Sequence, residues 1–226
     1  YDLCFWERID RDMSKKIRVK DIIRLCNGQI ICGDENETLE DFTQDTRKIK
    51  DGYVYIGFKG ERTDGNLMYN EALKNGAKVC ILQKDSVEGK INVEDVKKQY
   101  KGKTIVVVEN TIKALQDLAK YKRSLYDIPV IGITGSVGKT STKDLIASVM
   151  SKKFNTLKTL GNYNNQIGLP LTILGLKDHE AMVIEMGMNR NGEISNLTQI
   201  AKPTVAVITN IGTAHIGNLG SRENIL

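Results

Sequence analysis

At 226 residues, with 40% apolar and 27% charged side chains, the chain has a globular composition and the length for one large domain or two ordinary ones. Its net charge of +5 is spread along the sequence rather than gathered into one run, which suits a small anionic ligand at least as well as nucleic acid, and no nucleic-acid partner is expected. No apolar stretch approaches the ~18 residues of a membrane span, no leader-like segment opens the chain, and two histidines in all exclude a His-rich metal site; a cytoplasmic protein is expected.

Residues 1–14 read as an extension. YDLCFWERIDRD precedes Met13, a natural start, and is either an upstream piece or an arm that packs Phe5 and Trp6 on the domain. Val19, Ile22, Ile23 and Cys26 then fall at helical spacing, with Asn27-Gly28 as the C-cap. Strands are predicted at 29–32, 42–46 and 53–58, the last two separated by the turn Lys50-Asp51-Gly52. A polar loop, KGERTDGN, leads to a helix at 67–75, strands at 78–83 and 104–108, and an amphipathic helix at 112–126. Residues 15–127 thus form a small α/β domain. Cys4, Cys26, Cys32 and Cys80 make no CxxC pair and read as reduced thiols.

A second domain, 128–226, begins with a strand at 129–133 and runs through a glycine-rich turn into a helix at 140–150. The turn, Thr134-Gly135-Ser136-Val137-Gly138-Lys139-Thr140-Ser141, bares amides at a helix N-terminus, where anions settle. Lys139 reaches terminal phosphates, and the Thr140 hydroxyl is a Mg²⁺ ligand type. A strict Walker A motif would carry glycine at position 133, where this chain has Ile133. An Asn-rich loop at 161–166, a helix at 167–176 with Pro170 in its first turn, a strand at 181–184 ending on Glu185, a helix at 193–201 and a strand at 204–209 follow. Alternating strands and helices predict a parallel sheet with helices on its faces.

Ligands of such sheets bind beyond the carboxyl ends of the strands. Three strands deliver chemistry there: the loop with Lys139 and Thr140; Glu185, where a Walker B acid would sit; and Asn210 followed by His215. Oxygen-seeking magnesium suits Thr140 and Glu185, while a neutral His215 either ligates directly or orients a water or phosphate oxygen. Asn162, Asn164 and Asn165 suit phosphate, sugar and amide groups, or simply form turns. Arg190 pairs with Glu185 or faces an anionic ligand, and His179 reads as a surface residue.

GITGSVGKTSTKD, GNYNNQIGLPLT, VIEMGMNRNGEIS and ITNIGTAHIGNLGSRENI together resemble the central domain of the ATP-dependent Mur ligases, which build the peptide stem of peptidoglycan. DTRKIKDGYVYIGFKGERTDGN resembles that family's first domain, so the likeness runs in order from about Ile17 to the end. The NYNNQIGLP and EMGxNxxGEI blocks look most like the branch that adds D-Ala-D-Ala to UDP-N-acetylmuramoyl-tripeptide through an acyl phosphate.

The resemblance implies that residues 134–141 and Asn210 hold ATP, that Lys139, Glu185 and His215 are catalytic, and that Thr140, Glu185 and His215 serve magnesium. It implies that Asn162, Asn164 and Asn165 lie toward the muramoyl substrate. Thr46, Arg47, Lys59, Gly60, Arg62, Asp64, Gly65 and Asn66 would face the UDP group. A histidine commonly occupies the position of Arg190 in the family. A monomer is expected. The resemblance further implies that a third domain, and a carbamylated lysine, lie past Leu226, so that a truncated ATPase domain follows a complete first domain. The rival readings are a sister ligase, one adding glutamate to folate among them, and a non-catalytic UDP-substrate-binding module.

Overall fold

The computed structural model describes residues 15–214 and 216–221. The chain divides into two compact units, one up to Leu118 and one from Ala119 onward.

The first unit opens with β1 (Ile17–Arg18) and α1 (Val19–Cys26). Asp21 closes a capping box on α1 by accepting from Arg18 N at 2.9 Å, and Asn27 ends the helix in the left-handed conformation, φ 50°. The strands β2 (Gln29–Cys32), β3 (Thr38–Leu39), β4 (Phe42–Thr43) and β5 (Val54–Ile56) precede α2 (Tyr69–Lys74) and β6 (Val79–Gln83). Two short helices, α3 (Lys84–Val87) and α4 (Val93–Gln99), lead to β7 (Thr104–Val108) and α5 (Thr111–Ser124), whose residues from Ala119 onward belong to the second unit. Five strands form one sheet in the order β2-β7-β6-β5-β4, all parallel except the β2–β7 pair, while β1 and β3 make a separate antiparallel ribbon.

The near-continuous apolar sequences of β6 and β7 follow from their central place, since a strand covered on both faces has no solvent side to alternate toward. Tyr55, Cys80, Leu82, Ile105 and Val107 share one face and pack against Ala72, Leu73 and Val96 from the helices. The free thiols Cys32 and Cys80 are both buried.

The second unit holds β8 (Val130–Thr134), α6 (Lys139–Met150), β9 (Thr156–Lys158) and α7 (Gly168–Leu174). It continues with β10 (Ala181–Glu185), α8 (Glu193–Ala201), β11 (Val205–Ile208) and the short α9 (Ile216–Leu219). Its sheet is parallel throughout, in the order β11-β8-β10-β9. Ala147, Ile146 and Met150 of α6 cover Ile131, Ile133 and Val183 on one face. On the other face Gly132 admits close packing: a Cβ there would lie 2.6 Å from Met186 Cε and 3.1 Å from Pro203 Cβ. Arg123 satisfies the last carbonyls of α8, donating to Ala201 O at 2.8 Å and Lys202 O at 3.3 Å.

Several local expectations shift. The strand expected at 42–46 stops at Thr43, because Thr43 Oγ1 accepts from Asp45 N at 3.1 Å and Asp45 caps a 3₁₀ turn, Thr46–Lys48. The helix expected at 67–75 is a 3₁₀ turn, Gly65–Met68, followed by α2. β1, β3, β9, α3 and α4 have no counterpart in the sequence reading.

Candidate functional site

β8 keeps Ile133 as its last core residue, fully buried between the sheet and α6, and ends at Thr134. A glycine at position 133 would forfeit that packing, so the loop is the shorter turn from Gly135 to Gly138. Gly135 takes φ +135° and Gly138 φ +84°, both in the region that L side chains avoid. α6 then starts at Lys139, whose ammonium curls over its own loop and donates to Gly135 O at 2.6 Å and Ser136 O at 3.4 Å. The amides of Gly138, Lys139, Thr140 and Ser141 donate to no group among the described residues, as at any helix start.

Glu185 ends β10 in register with Ile133 of β8, which sets its carboxylate beside the loop. It is 2% exposed, yet fully hydrogen-bonded. Thr140 Oγ1 donates to Oε2 at 2.9 Å and Asn164 Nδ2 to Oε1 at 2.9 Å, while Glu185 N donates to Thr159 Oγ1 at 2.9 Å. Thr159 and its hydroxyl were not foreseen; the only signal was its position one residue past the three-residue β9. Arg190 is exposed and makes no ion pair with Glu185, whose two oxygens are already bonded to Thr140 and Asn164.

The asparagines divide their work. Asn164 faces Glu185 and accepts from Gly187 N at 2.8 Å; Asn165 caps α7 by accepting from Ile167 N and Gly168 N at 3.0 and 2.9 Å; Asn162 lends its carbonyl to Asn164 N at 2.8 Å. Asn210 accepts from Ser136 N at 3.1 Å through its carbonyl and from Val137 N at 3.0 Å through Oδ1. His215 lies outside the described residues.

A cavity of about 400 Å³ opens on the Lys139 side of the loop. The loop and Asn210 form its polar wall, and Met188, Ile194, Ile208 and Ile211 its apolar one. The residues present fit a nucleotide phosphate: unspent amides at a helix start, a lysine held by carbonyls it can leave, and open space around Gly138, where a Cβ would touch nothing within 4 Å. The donor set also fits magnesium, which needs one or two protein oxygens and keeps its waters; Thr140 Oγ1 and Glu185 Oε2 are such a pair. No cluster of three or more His, Cys, Asp or Glu that would suit zinc occurs among the described residues.

In the first unit, Thr46 is buried and donates to Glu71 Oε1 at 2.8 Å. Arg47 grips Asp45 with Nε at 2.8 Å and a terminal nitrogen at 2.9 Å, and that bonding lowers the Asp45 carboxyl to about 2. The loop after β5 is a tight hairpin: Gly60 N donates to Thr63 O at 3.0 Å, and Gly65 N to Phe58 O at 2.9 Å. Asn66 is wholly buried and pins it, donating to Asp64 Oδ1 at 2.7 Å and accepting from Gln83 N at 2.8 Å. Lys59 and Arg62 point outward, exposed. Asn66, Asp64 and Thr46 therefore shape this surface, while Lys59, Arg62 and Arg47 present its charge. His179 is half-buried, accepting from Lys177 N at Nδ1 (3.1 Å), and burial lowers its pKa.

Two family models match the chain in succession: the Mur ligase family catalytic domain over residues 42–123 and the Mur ligase middle domain over residues 133–226. The chain belongs to the Mur ligase family. Among Mur ligases it is 40% identical over 215 residues to the UDP-N-acetylmuramoyl-tripeptide--D-alanyl-D-alanine ligase of Synechocystis, covering 92% of this chain and 45% of that protein. The Bacillus subtilis ligase of the same name is 38% identical, with 93% and 44% covered. The crystal structure of MurF from Acinetobacter baumannii superposes with a TM-score of 0.79 at 32% identity, over 93% of this chain and 44% of that one. MurF from Thermotoga maritima, solved in complex with ADP, gives a TM-score of 0.70 at 36% identity, over 82% and 41%. The chain thus spans less than half the length of these Mur ligases. No helix among the described residues is long and apolar enough to cross a membrane.

Proposed function

We propose that the chain carries the substrate- and nucleotide-binding portion of a cytoplasmic, ATP-dependent amide ligase that joins D-Ala-D-Ala to UDP-N-acetylmuramoyl-tripeptide in peptidoglycan precursor synthesis. The observation that carries this reading is the pairing of Thr140 with a buried Glu185 at the mouth of the Lys139 loop. Its likeness to ligases of that name, one of them solved with ADP, supports the substrate assignment.

A carboxylate is a poor acyl electrophile, so its oxygen first attacks the γ-phosphorus of ATP. An O–P bond forms, the bond to the β–γ bridging oxygen breaks, and ADP leaves. The amine of D-Ala-D-Ala then attacks the acyl carbon and loses a proton as inorganic phosphate departs. Lys139 moves its ammonium from the loop carbonyls to phosphate oxygens, and the free amides of Gly138 to Ser141 fix the phosphate chain; both act by position and charge. Thr140 and Glu185, with His215, would hold magnesium, which when bound supplies charge neutralisation on the phosphates. The loop that carries Asn162 lies toward the muramoyl group, held in shape by Asn164 on Glu185 and by Asn165 capping α7, and Arg47, Lys59 and Arg62, on the surface shaped by Thr46, Gly60, Asp64, Gly65 and Asn66, take the UDP phosphates.

The test is phosphate release from ATP, dependent on both UDP-N-acetylmuramoyl-tripeptide and D-Ala-D-Ala, by the complete gene product. Lys139→Ala should abolish it and leave UDP-substrate binding intact; wild-type turnover in that variant would sink the assignment. For the 226 residues alone the reading is binding without turnover, since they span under half of the relatives. Dipeptide-dependent ADP release from them would overturn that.

A further inference from the structure

The segment after β11 is tied to the phosphate loop residue by residue. Thr209 N donates to Thr134 O at 2.9 Å, and Thr209 Oγ1 to Val137 O at 2.6 Å. Asn210 takes the Ser136 and Val137 amides, and Gly212 N donates to Ser136 Oγ at 2.9 Å. The fit is close enough to dictate the first glycine: a Cβ on Gly135 would lie 2.2 Å from Thr209 Oγ1 and 3.0 Å from Asn210 N. Gly135 is thus required by the segment behind the loop as well as by its own φ.

This arrangement divides the loop's donors in two. Ser136 and Val137 have spent their amides on Asn210, whereas Gly138 to Ser141 have not. We propose that Asn210 is a positioning residue for the phosphate loop, holding its outer limb so that anion binding falls to the amides from Gly138 to Ser141. The inference rests on the reading of the loop as a phosphate site and deepens it: Asn210 acts through the loop and not as a nucleotide ligand.

Residue-resolved amide exchange on the 226-residue chain, first without nucleotide, tests the clasp. Asn210→Ala removes one hydrogen bond acceptor, so Val137 should exchange roughly tenfold faster, with Ser136, held by a backbone carbonyl, nearly unchanged. Asn210→Asp keeps an oxygen at the same place and should restore slow exchange at Val137, a rescue that generic loss of packing would not produce. Val183 in β10 reports whether the fold is kept; if N210A speeds it too, N210D alone decides. Unchanged Val137 exchange in N210A, or exchange in N210D as fast as in N210A, would overturn the proposal. With MgADP added to the wild type, protection on Gly138 to Ser141 supports it, and protection confined to Ser136 and Val137 overturns it. No protection anywhere would instead remove the phosphate-site reading, while the exchange without nucleotide still judges the clasp.

Discussion

Glu185 shows what a single buried charge demands. A carboxylate that is 2% exposed persists only if its oxygens are bonded, and Thr140 and Asn164 meet that demand, while the Thr159 hydroxyl accepts from the Glu185 backbone amide behind it. Glu185→Ala would leave a threonine hydroxyl and an asparagine amide unpartnered, costing about 1–3 kcal/mol in a urea titration. The same variant should bind ADP equally well with magnesium or with a chelator, whereas the wild type binds better with magnesium. Retained magnesium dependence would exclude Glu185 from the metal site.

Cys26, one of three thiols among the described residues that burial shifts upward, contributes to the alkaline limb of stability. Burial, and secondarily the Asp117 carboxylate, pushes the Cys26 thiol up to about 12 from its ordinary value near 9. Below pH 9 both states hold the proton; above it the unfolded thiol ionises first, so this contribution is lost as pH rises from about 9 toward 12. Urea midpoints measured from pH 8 to pH 11 should fall more steeply for the wild type than for Cys26→Ala. Parallel curves would contradict it.

At the scale of elements, the phosphate loop separates two kinds of glycine. Gly135→Ala adds a methyl group 2.2 Å from Thr209 Oγ1 at φ +135°, and should destabilise the second unit by about 2–3 kcal/mol. Gly138→Ala meets nothing within 4 Å and bears only the strain of φ +84°, about 1 kcal/mol. Equal losses in thermal or urea unfolding would contradict this reading of Gly135.

The same loop shows what the sequence made legible. Apolar β8, β10 and β11 announced a parallel sheet, and the Gly138-Lys139-Thr140 end of the turn announced a helix start. What escaped was held by tertiary or very local contacts. β1 and β3 have two residues each, too few to show a period, and β9 is a polar threesome that exists by pairing with β10. α4 was findable, since Asn92 caps it by accepting from Glu94 N and Asp95 N, with both acids in the first turn. Thr46 and Asn66 stood in the right loops, but no spacing rule tells a buried pin from an exposed ligand. Asn210 was placed at the site by strand position, while its hold on the loop rests on contacts more than seventy residues apart in sequence.

At the scale of the molecule, two compact units carry two surfaces of different chemistry, a charged hairpin face in the first and the glycine-rich loop before α6 in the second. A ligand that binds one unit alone stabilises that unit alone, by about 2.7 kcal/mol at a hundredfold excess over its Kd. MgADP should therefore slow amide exchange in β8 and β10 and leave β6 and β7 as they were. Protection that falls on β6 and β7 instead would put the nucleotide in the wrong unit.

The most direct test of the central claim is a calorimetric titration of MgADP into the 226-residue chain, with Lys139→Ala as the comparison. The account predicts saturable binding at one site in the wild type, weakened by chelating magnesium and lost in Lys139→Ala. No binding by the wild type, or equal binding by Lys139→Ala, would contradict it.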